Sequence, residues 1–140
     1  MIDFENITKK HLNELKKEIE NDMSSKGLNN TKSAVNSLEV KGNTLWGNSY
    51  IYFLDKGRRP GKFPPVNAMR DWVRSKLGIT NDNENKSVAF LVGRKISNFG
   101  TNIFRDKSKG IQLDNKVNNM LNNLYEELQG EAKAEALTWL

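Results

Sequence analysis

The sequence contains no cysteine, and this absence excludes several kinds of chemistry. Disulfide bonds, thiolate metal sites, cysteine nucleophiles and iron–sulfur clusters all require that residue. A cysteine-free chain is typical of a reducing cytoplasm, and we expect the protein to be made there. Histidine is nearly as scarce, because His11 is the only one. The chain therefore has no histidine cluster for zinc and no serine–histidine pair, and we expect His11 to lie at the surface or boundary of a helix.

Long hydrophobic runs and phosphate-binding glycine loops are also missing. The segment Met1–Lys10 is interrupted by Asp3 and Glu5, so we expect neither a signal peptide nor a membrane span. The glycines are scattered, and Asn81–Glu84 lacks the ligand spacing of a calcium loop. The carboxylates are interleaved with lysines, a pattern typical of solvated helix surfaces. We therefore expect no enzymatic activity, no cofactor and no metal.

The composition that remains is that of one polar globular domain. A length of 140 residues matches a single core, and 36% hydrophobic residues are enough to form one. The formal net charge is +5, from 22 basic and 17 acidic residues. This charge permits contacts with phosphates, although both signs are mixed along the chain.

The first segment predicts a long amphipathic helix. Apolar residues recur at intervals of three to five positions from Phe4 to Met23, with charges between them. Asp3 is placed to cap the start of this helix, and Ser24–Asn30 contains glycine and asparagine that stop it. The predicted helix spans residues 3 to 24.

Three further helices are predicted in the second half of the chain. The first follows Pro65 and ends at Gly78, and the second ends at Gly100 after a polar loop at Asn81–Asn85. The third starts near Asp114, its predicted N-cap. The apolar positions of these helices lie in Val66–Leu77, Val88–Phe99 and Val117–Leu128.

The last residues leave two alternatives open. Gly130 interrupts or ends the helical pattern, and Leu137, Trp139 and Leu140 form an apolar cluster beyond it. Residues 129–140 are then either a tail that docks on a partner or a continued helix that packs on its own domain.

Between the first two helical regions the pattern changes to that of strands. Leu38 and Val40 alternate with polar residues, Gly42-Asn43 is a turn, and Leu45–Leu54 is rich in aromatic and β-branched residues. The second strand has apolar groups on both faces, so it needs cover from helices or from another subunit. The predicted fold class is α+β, with a long N-terminal helix, a small antiparallel sheet and two to three further helices in a single domain, residues 1–140.

Lys56–Pro65 combines basic residues with a concentration of glycines and prolines. Its glycines and prolines predict an irregular connection that displays Lys56, Arg58, Arg59 and Lys62. The order of residues in Tyr50–Pro65 resembles the signature of phage neck and tail-completion proteins, in which an aromatic strand ends in an acidic residue plus glycine before a basic or proline-rich loop. Other similar stretches are Thr31–Leu38, Val66–Leu77 and Ala89–Thr101.

The resemblance implies a structural virion protein of a tailed bacteriophage. Its members assemble as rings of six or twelve copies at the head–tail junction, and DNA passes through the centre. The implied partners are further copies of the chain, the portal or connector and tail proteins of the same virion, and DNA bound without sequence preference. No membrane, cofactor, metal or catalysis is implied.

Two sets of candidate site residues follow. Those expected at an interface with another subunit or an adjoining ring are Tyr52, Asp55, Lys56, Arg58, Arg59, Pro60, Lys62, Phe63 and Trp139. Those expected to contact DNA phosphates are Arg58, Arg59, Lys62, Arg105 and Lys107.

Plainer interpretations stay open beside these sets. The basic loop can be merely solvated, and Tyr50, Tyr52, Phe53 and Trp72 can be core residues. A different function is a small basic DNA-binding protein that uses Lys56–Lys62 and Arg105–Lys109 as phosphate contacts. Self-assembly without DNA distinguishes the first function from the second.

Overall fold

The computed structural model describes residues 2–28 and 32–140. In these residues the chain forms helices around one small antiparallel sheet, with a 3₁₀ turn at Lys107–Lys109. The predicted α+β fold is confirmed, including the long first helix and the single domain. The elements are α1 Phe4–Ser25, α2 Ser33–Ser37, β1 Glu39–Lys41, β2 Thr44–Trp46, α3 Tyr50–Lys56, α4 Val66–Leu77, α5 Asp82–Phe99, α6 Asn102–Arg105 and α7 Leu113–Thr138.

Helix α1 begins where the sequence predicts. The Asp3 carboxylate accepts a hydrogen bond from the backbone N–H of Asn6 at 3.1 Å, which satisfies one of the free donors of the first turn. Beyond the helix end, Gly27 adopts a positive φ of +67°. The Asn29-Asn30 pair of the predicted stop, and Thr31 of the similar stretch, lie outside the described residues.

The main core lies between α1 and the segments that follow it. Apolar side chains of α1 at helical spacing face α2, α3 and the short segment that precedes α7. Smaller contributions come from β2 and from the first half of α7. The buried members are Leu15, Ile19, Met23, Ala34, Leu38, Ile51, Leu54 and Ile111.

The small sheet is a tight hairpin. Val40 pairs with Leu45 and Lys41 with Thr44, so Gly42 and Asn43 form the two-residue turn that the sequence predicts. Gly42 has φ of +59°, the conformation that such a turn requires and that glycine adopts at little cost.

The second strand is much shorter than predicted, because Tyr50–Lys56 is the helix α3. The buried residues of this segment are Ile51, Leu54 and Asp55, at the spacing of one helix face, whereas Tyr52 points away and is 61% exposed. The backbone N–H of Tyr50 donates to Asn48 Oδ1 at 3.1 Å at the start of the helix. The prediction of a strand with two apolar faces is therefore wrong, and no subunit contact follows from it.

Helices α4 and α5 form a hairpin joined around a buried asparagine. Asn85 was expected in a polar loop, but α5 already begins at Asp82, and Asn85 is fully buried. Its side-chain amide donates to the carbonyl oxygens of Arg70 and Ile79 at 3.0 and 3.1 Å. Its Oδ1 accepts a hydrogen bond from Arg70 Nε at 3.0 Å, so burial leaves none of these groups unsatisfied.

Helix α7 starts slightly earlier than the sequence predicts, and at its end it continues as a helix, one of the alternatives left open. It begins at Leu113, so Asp114 is a first-turn residue and not the N-cap. It also continues through Gly130 to Thr138. A single glycine lowers helix stability by only about 1 kcal/mol, which good helix formers on either side can offset.

His11 is buried, contrary to expectation, because α7 covers it. The residue is 6% exposed, and its Nε2 lies 3.0 Å from Glu127 Oε2. The same carboxylate accepts a hydrogen bond from the ammonium group of Lys10, which lowers the pKa of Glu127. Glu127 is therefore a link between α1 and α7, although the sequence suggested a solvated carboxylate.

Candidate assembly surface

The connection from α3 to α4, residues 57–65, is irregular as predicted and is firmly attached to its neighbours; we call it the basic loop. The backbone N–H of Arg58 donates to Thr101 Oγ1 at 2.9 Å, and the N–H of Thr101 returns a hydrogen bond to the Arg58 carbonyl at 3.1 Å. Further along, the N–H of Gly61 donates to the Ser97 carbonyl at 2.8 Å. These bonds hold the loop against the end of α5 and the start of α6.

A close backbone approach at Gly57 makes this attachment possible. Gly57 has φ of +76°, and a Cβ atom there would lie 2.2 Å from the backbone nitrogen of Phe104. Gly100 lies on the other side of the contact, where a Cβ would be 2.9 Å from the Arg58 carbonyl oxygen. Only glycine fits both positions without moving the backbone.

Asp55 and Lys56, two of the predicted interface residues, are engaged within the chain. Asp55 is 7% exposed, and its Oδ1 accepts a hydrogen bond from the backbone N–H of Leu113 at 2.8 Å, which satisfies a first-turn donor of α7. Lys56 Nζ lies 3.0 Å from Asp114 Oδ2, and this hydrogen bond raises the pKa of Lys56. Asp55 thus has a structural role, with little surface left for a partner.

The remaining cations of the loop differ in how free they are. The Arg58 guanidinium lies over the Phe53 ring, 5.3 Å from its centroid. Arg59, Pro60 and Lys62 are exposed. Neither Arg59 nor Lys62 forms an ion pair or a side-chain hydrogen bond with the residues that the structure describes. These two cations are therefore available to a partner.

The second predicted basic segment lies next to the first. Lys107 Nζ donates to the Lys56 carbonyl at 2.5 Å and lies 4.6 Å from the centroid of the Phe104 ring. Arg105 donates to the side chain of Asn102. The structure thus brings Lys107 to the start of the basic loop, as a shared role of the two segments requires.

Phe63, at the end of the loop, forms one wall of an open apolar cavity of about 170 Å³, which we call the socket. Its ring packs on Phe90 with the centroids 5.6 Å apart. It also covers Gly93 of α5, where a Cβ would lie 2.4 Å from Phe63 Cζ. Phe90 is 59% exposed. The lining residues are Phe63, Val66, Lys86, Ala89 and Phe90.

The sequence did not single out two exposed cations of α5. Arg94 and Lys95 follow Gly93 on α5, are exposed, and have no side-chain partner among residues 2–28 and 32–140. No local pattern marks these two cations, and Gly93 is not a signal for them either, because Gly130 also lies within a helix and a Cβ there would have no neighbour within 4 Å.

Trp139 lies far from the loop, at the other end of α7. It is 80% exposed, and Leu137 and Leu140 are 68% and 101% exposed. We call these three residues the knob. The sequence left open whether this segment packs on its own domain; in the structure its three apolar side chains are exposed.

The comparisons with known proteins found no relative of this chain. No family model, no curated protein and no solved structure matches the chain. Within the described residues, no helix is long and apolar enough to cross a membrane, and no cluster of three or more histidine, cysteine or acidic residues is placed to hold a metal ion.

Proposed function

We propose that the protein is a structural subunit that forms a ring at the neck of a tailed bacteriophage, where it joins the portal or connector to the tail around the DNA channel. The order of residues in Tyr50–Pro65, which resembles that of neck and tail-completion proteins, supports the biological setting, although Tyr50–Lys56 is a helix here and not the strand of that signature. Further copies of the chain and the adjoining virion proteins are the proposed partners, and the virion is the proposed location.

One observation carries the proposal: the backbone of the basic loop is fixed, while two of its cations are free. Its backbone is held by hydrogen bonds to Thr101 and Ser97, whereas Arg59 and Lys62 have no partner in the described part of the chain. A surface that is already ordered loses little conformational entropy on binding, so its cations can engage acidic groups at low cost.

Exposed apolar side chains, some next to this loop and some at the far end of α7, give the same indication. Phe63, Val66 and Phe90 are 40%, 56% and 59% exposed at the socket, and Trp139 is exposed at the knob. Isolated apolar residues are normal on a protein surface, but grouped ones mark contacts with other proteins.

Light scattering on the purified protein, with and without duplex DNA, tests the proposal. The expected result is an oligomer of six or twelve copies whose mass does not depend on DNA. A protein that stays monomeric without DNA at assembly concentrations would contradict self-assembly.

The alternative, a small DNA-binding protein, is favoured by the position of Lys107, because this cation of the second predicted phosphate-contact segment lies beside the start of the first. Under this alternative the protein is a monomer, and its affinity for duplex DNA falls steeply with salt concentration, since bound cations displace counterions from DNA. Titrating DNA at two salt concentrations measures this dependence directly.

A further inference from the structure

We infer that the knob of one copy docks in the socket of the next copy, and this contact rests on the ring proposed above. In the single chain neither surface is covered: Trp139 is 80% exposed and the socket is open. The two surfaces have matching chemistry, and they lie on different parts of the molecule.

The size and lining of the socket suit an aromatic side chain. Apolar cavities of about 150 Å³ bind benzene, so the volume of about 170 Å³ is sufficient for a ring of the Trp139 indole. The walls formed by Phe63, Ala89 and Phe90 are apolar. An indole placed there can pack against the Phe90 ring, and aromatic residues in such pockets contribute most of the binding energy of an interface.

The charges around the two surfaces are complementary. The C-terminal end of a helix carries a partial negative charge, which cations usually balance, but the last turn of α7 contains no basic residue. Lys86 lines the socket but already pairs with Asp82 at 3.2 Å. Two further cations, Lys62 and Arg94, are unpaired in the described part of the chain; they are the chain neighbours of Phe63 and of Gly93, which the Phe63 ring covers. Docking would therefore place the negative end of α7 next to the cations of another copy.

The position of the knob favours a contact between copies that repeats around a ring. The start of α7 is fixed next to the end of α3, just before the basic loop, because the backbone N–H of Leu113 donates to Asp55. A helix of 26 residues is about 39 Å long, which carries the knob that far from the start of the basic loop. A head-to-tail contact of this kind uses two different surfaces of each copy, and it closes into a ring when the rotation permits.

Complementation between two defective variants tests the contact. Trp139→Glu destroys the knob and Phe90→Glu destroys the socket, and each residue is exposed, so each variant should fold with an unchanged circular dichroism spectrum. Each alone should be monomeric. Mixed in equal amounts they should form dimers, because the pair still has one intact knob and one intact socket. Trp46→Glu, at another exposed aromatic residue, should still form the ring.

Covalent trapping gives a second test of the contact. Because the protein contains no cysteine, only the introduced thiols can form disulfides. The double variant Leu137→Cys with Val66→Cys should form a ladder of disulfide-linked oligomers on mild oxidation. Leu137→Cys combined with Glu39→Cys, which places the second thiol on the hairpin, should not.

The outcomes separate this inference from the proposed function. If the unmodified protein forms a ring and both glutamate variants do so too, the knob–socket contact is wrong and the ring stands. If the unmodified protein is monomeric, the self-assembled ring is wrong. In that case the trapping experiment decides the contact, and the absence of a ladder overturns it as well.

Discussion

At the scale of single residues, the basic loop depends on glycines that differ in how closely they are surrounded. Gly57 and Gly61 both have positive φ, of +76° and +123°, so any other residue is strained at either position. A Cβ at Gly57 would also overlap the backbone of Phe104, whereas a Cβ at Gly61 would have no neighbour within 4 Å. Steric overlap with backbone is harder to relieve than overlap with the end of a side chain.

We expect Gly57→Ala to destabilise the protein far more than Gly61→Ala. Strained backbone alone gives a loss of about 1–3 kcal/mol at each site, and overpacking adds about 1–3 kcal/mol at Gly57 only. Urea unfolding of both variants below the assembly concentration measures the difference. Equal losses would mean that the approach of Phe104 to the loop is not tight.

A buried lysine creates a dependence on pH at the junction of α1 and α7. Lys116 is 9% exposed, and its Nζ lies 2.9 Å from Asp22 Oδ2. Burial acts to raise the pKa of Asp22, but the hydrogen bonds from Lys116 and Lys26 outweigh it, so the pKa of this carboxyl is lowered. A lowered pKa in the folded state stabilises the protein above the ordinary pKa of aspartate, and this contribution is lost as the pH falls through the folded value.

We therefore expect Asp22→Asn to reduce the free energy of unfolding at neutral pH by about 1–2 kcal/mol, which is at and below the lower end of the usual range for charged hydrogen bonds because Asp22 is partly exposed. The variant should also lose less stability than the unmodified protein between pH 6 and pH 3. Thermal unfolding across this range measures both effects. Asp71→Asn, at an exposed carboxylate that pairs with Arg74 at 3.0 Å, is the matched control and should change little.

At the scale of secondary structure, the sequence predicts the long helices well and α3 poorly. The apolar positions of α1, α4 and α5 repeat at helical spacing over several turns, so their pattern determines the element type. The segment Tyr50–Lys56 is only 7 residues long and its first five residues are all aromatic or aliphatic, so alternation and helical periodicity fit equally. Burial of Ile51 and Leu54 against α1 favours the helix, and this information lies in the tertiary structure.

Two glycines within helices allow the effect of neighbouring atoms on an added Cβ to be separated from the effect of helix propensity. A Cβ atom at Gly130 of α7 would have no neighbour within 4 Å, whereas Gly93 of α5 is covered by the Phe63 ring. Gly130→Ala should stabilise the protein by about 0.5–1 kcal/mol, because alanine restricts the unfolded chain and favours the helix.

Gly93→Ala has the same gain in propensity but must displace the Phe63 ring, whose nearest atom would lie 2.4 Å away. We expect its melting temperature to stay below that of Gly130→Ala and its ring assembly to weaken, since Phe63 forms a wall of the socket. Calorimetry and light scattering measure the two quantities. A Gly93→Ala variant as stable and as well assembled as Gly130→Ala would contradict the role of Phe63.

At the scale of the whole molecule, the sequence identifies the basic loop but not the surfaces that accompany it. Composition alone marks Lys56–Pro65, because glycine, proline and cations coincide there. Whether each side chain is free depends on contacts distant in sequence. Asp55 accepts a hydrogen bond from the backbone of Leu113, and Lys56 donates one to Asp114. The socket lies between the end of the loop and α5, and no local sequence pattern predicts that contact.

Because of these contacts, we expect substitutions of the loop cations to have different effects. Arg58 packs on Phe53, so a change at Arg58 affects both folding and binding. Arg59 and Lys62 have no partner in the described chain, and the double variant Arg59→Ala with Lys62→Ala should leave the free energy of unfolding within about 0.5 kcal/mol when measured on the monomer. Assembly should weaken and become less sensitive to salt, because charge pairs between exposed groups are screened.

Removing two positive charges elsewhere distinguishes a local effect of the loop cations from an effect of the net charge of the protein. Lys17→Ala with Lys41→Ala changes the formal charge equally but touches exposed positions on α1 and β1. If this control weakens assembly as much as the loop variant, the effect comes from the overall field of the protein, which acts on association at long range. If only the loop variant weakens assembly, Arg59 and Lys62 act at the contact itself. Loss of duplex binding in the loop variant, with assembly unaffected, would instead favour the DNA-binding alternative.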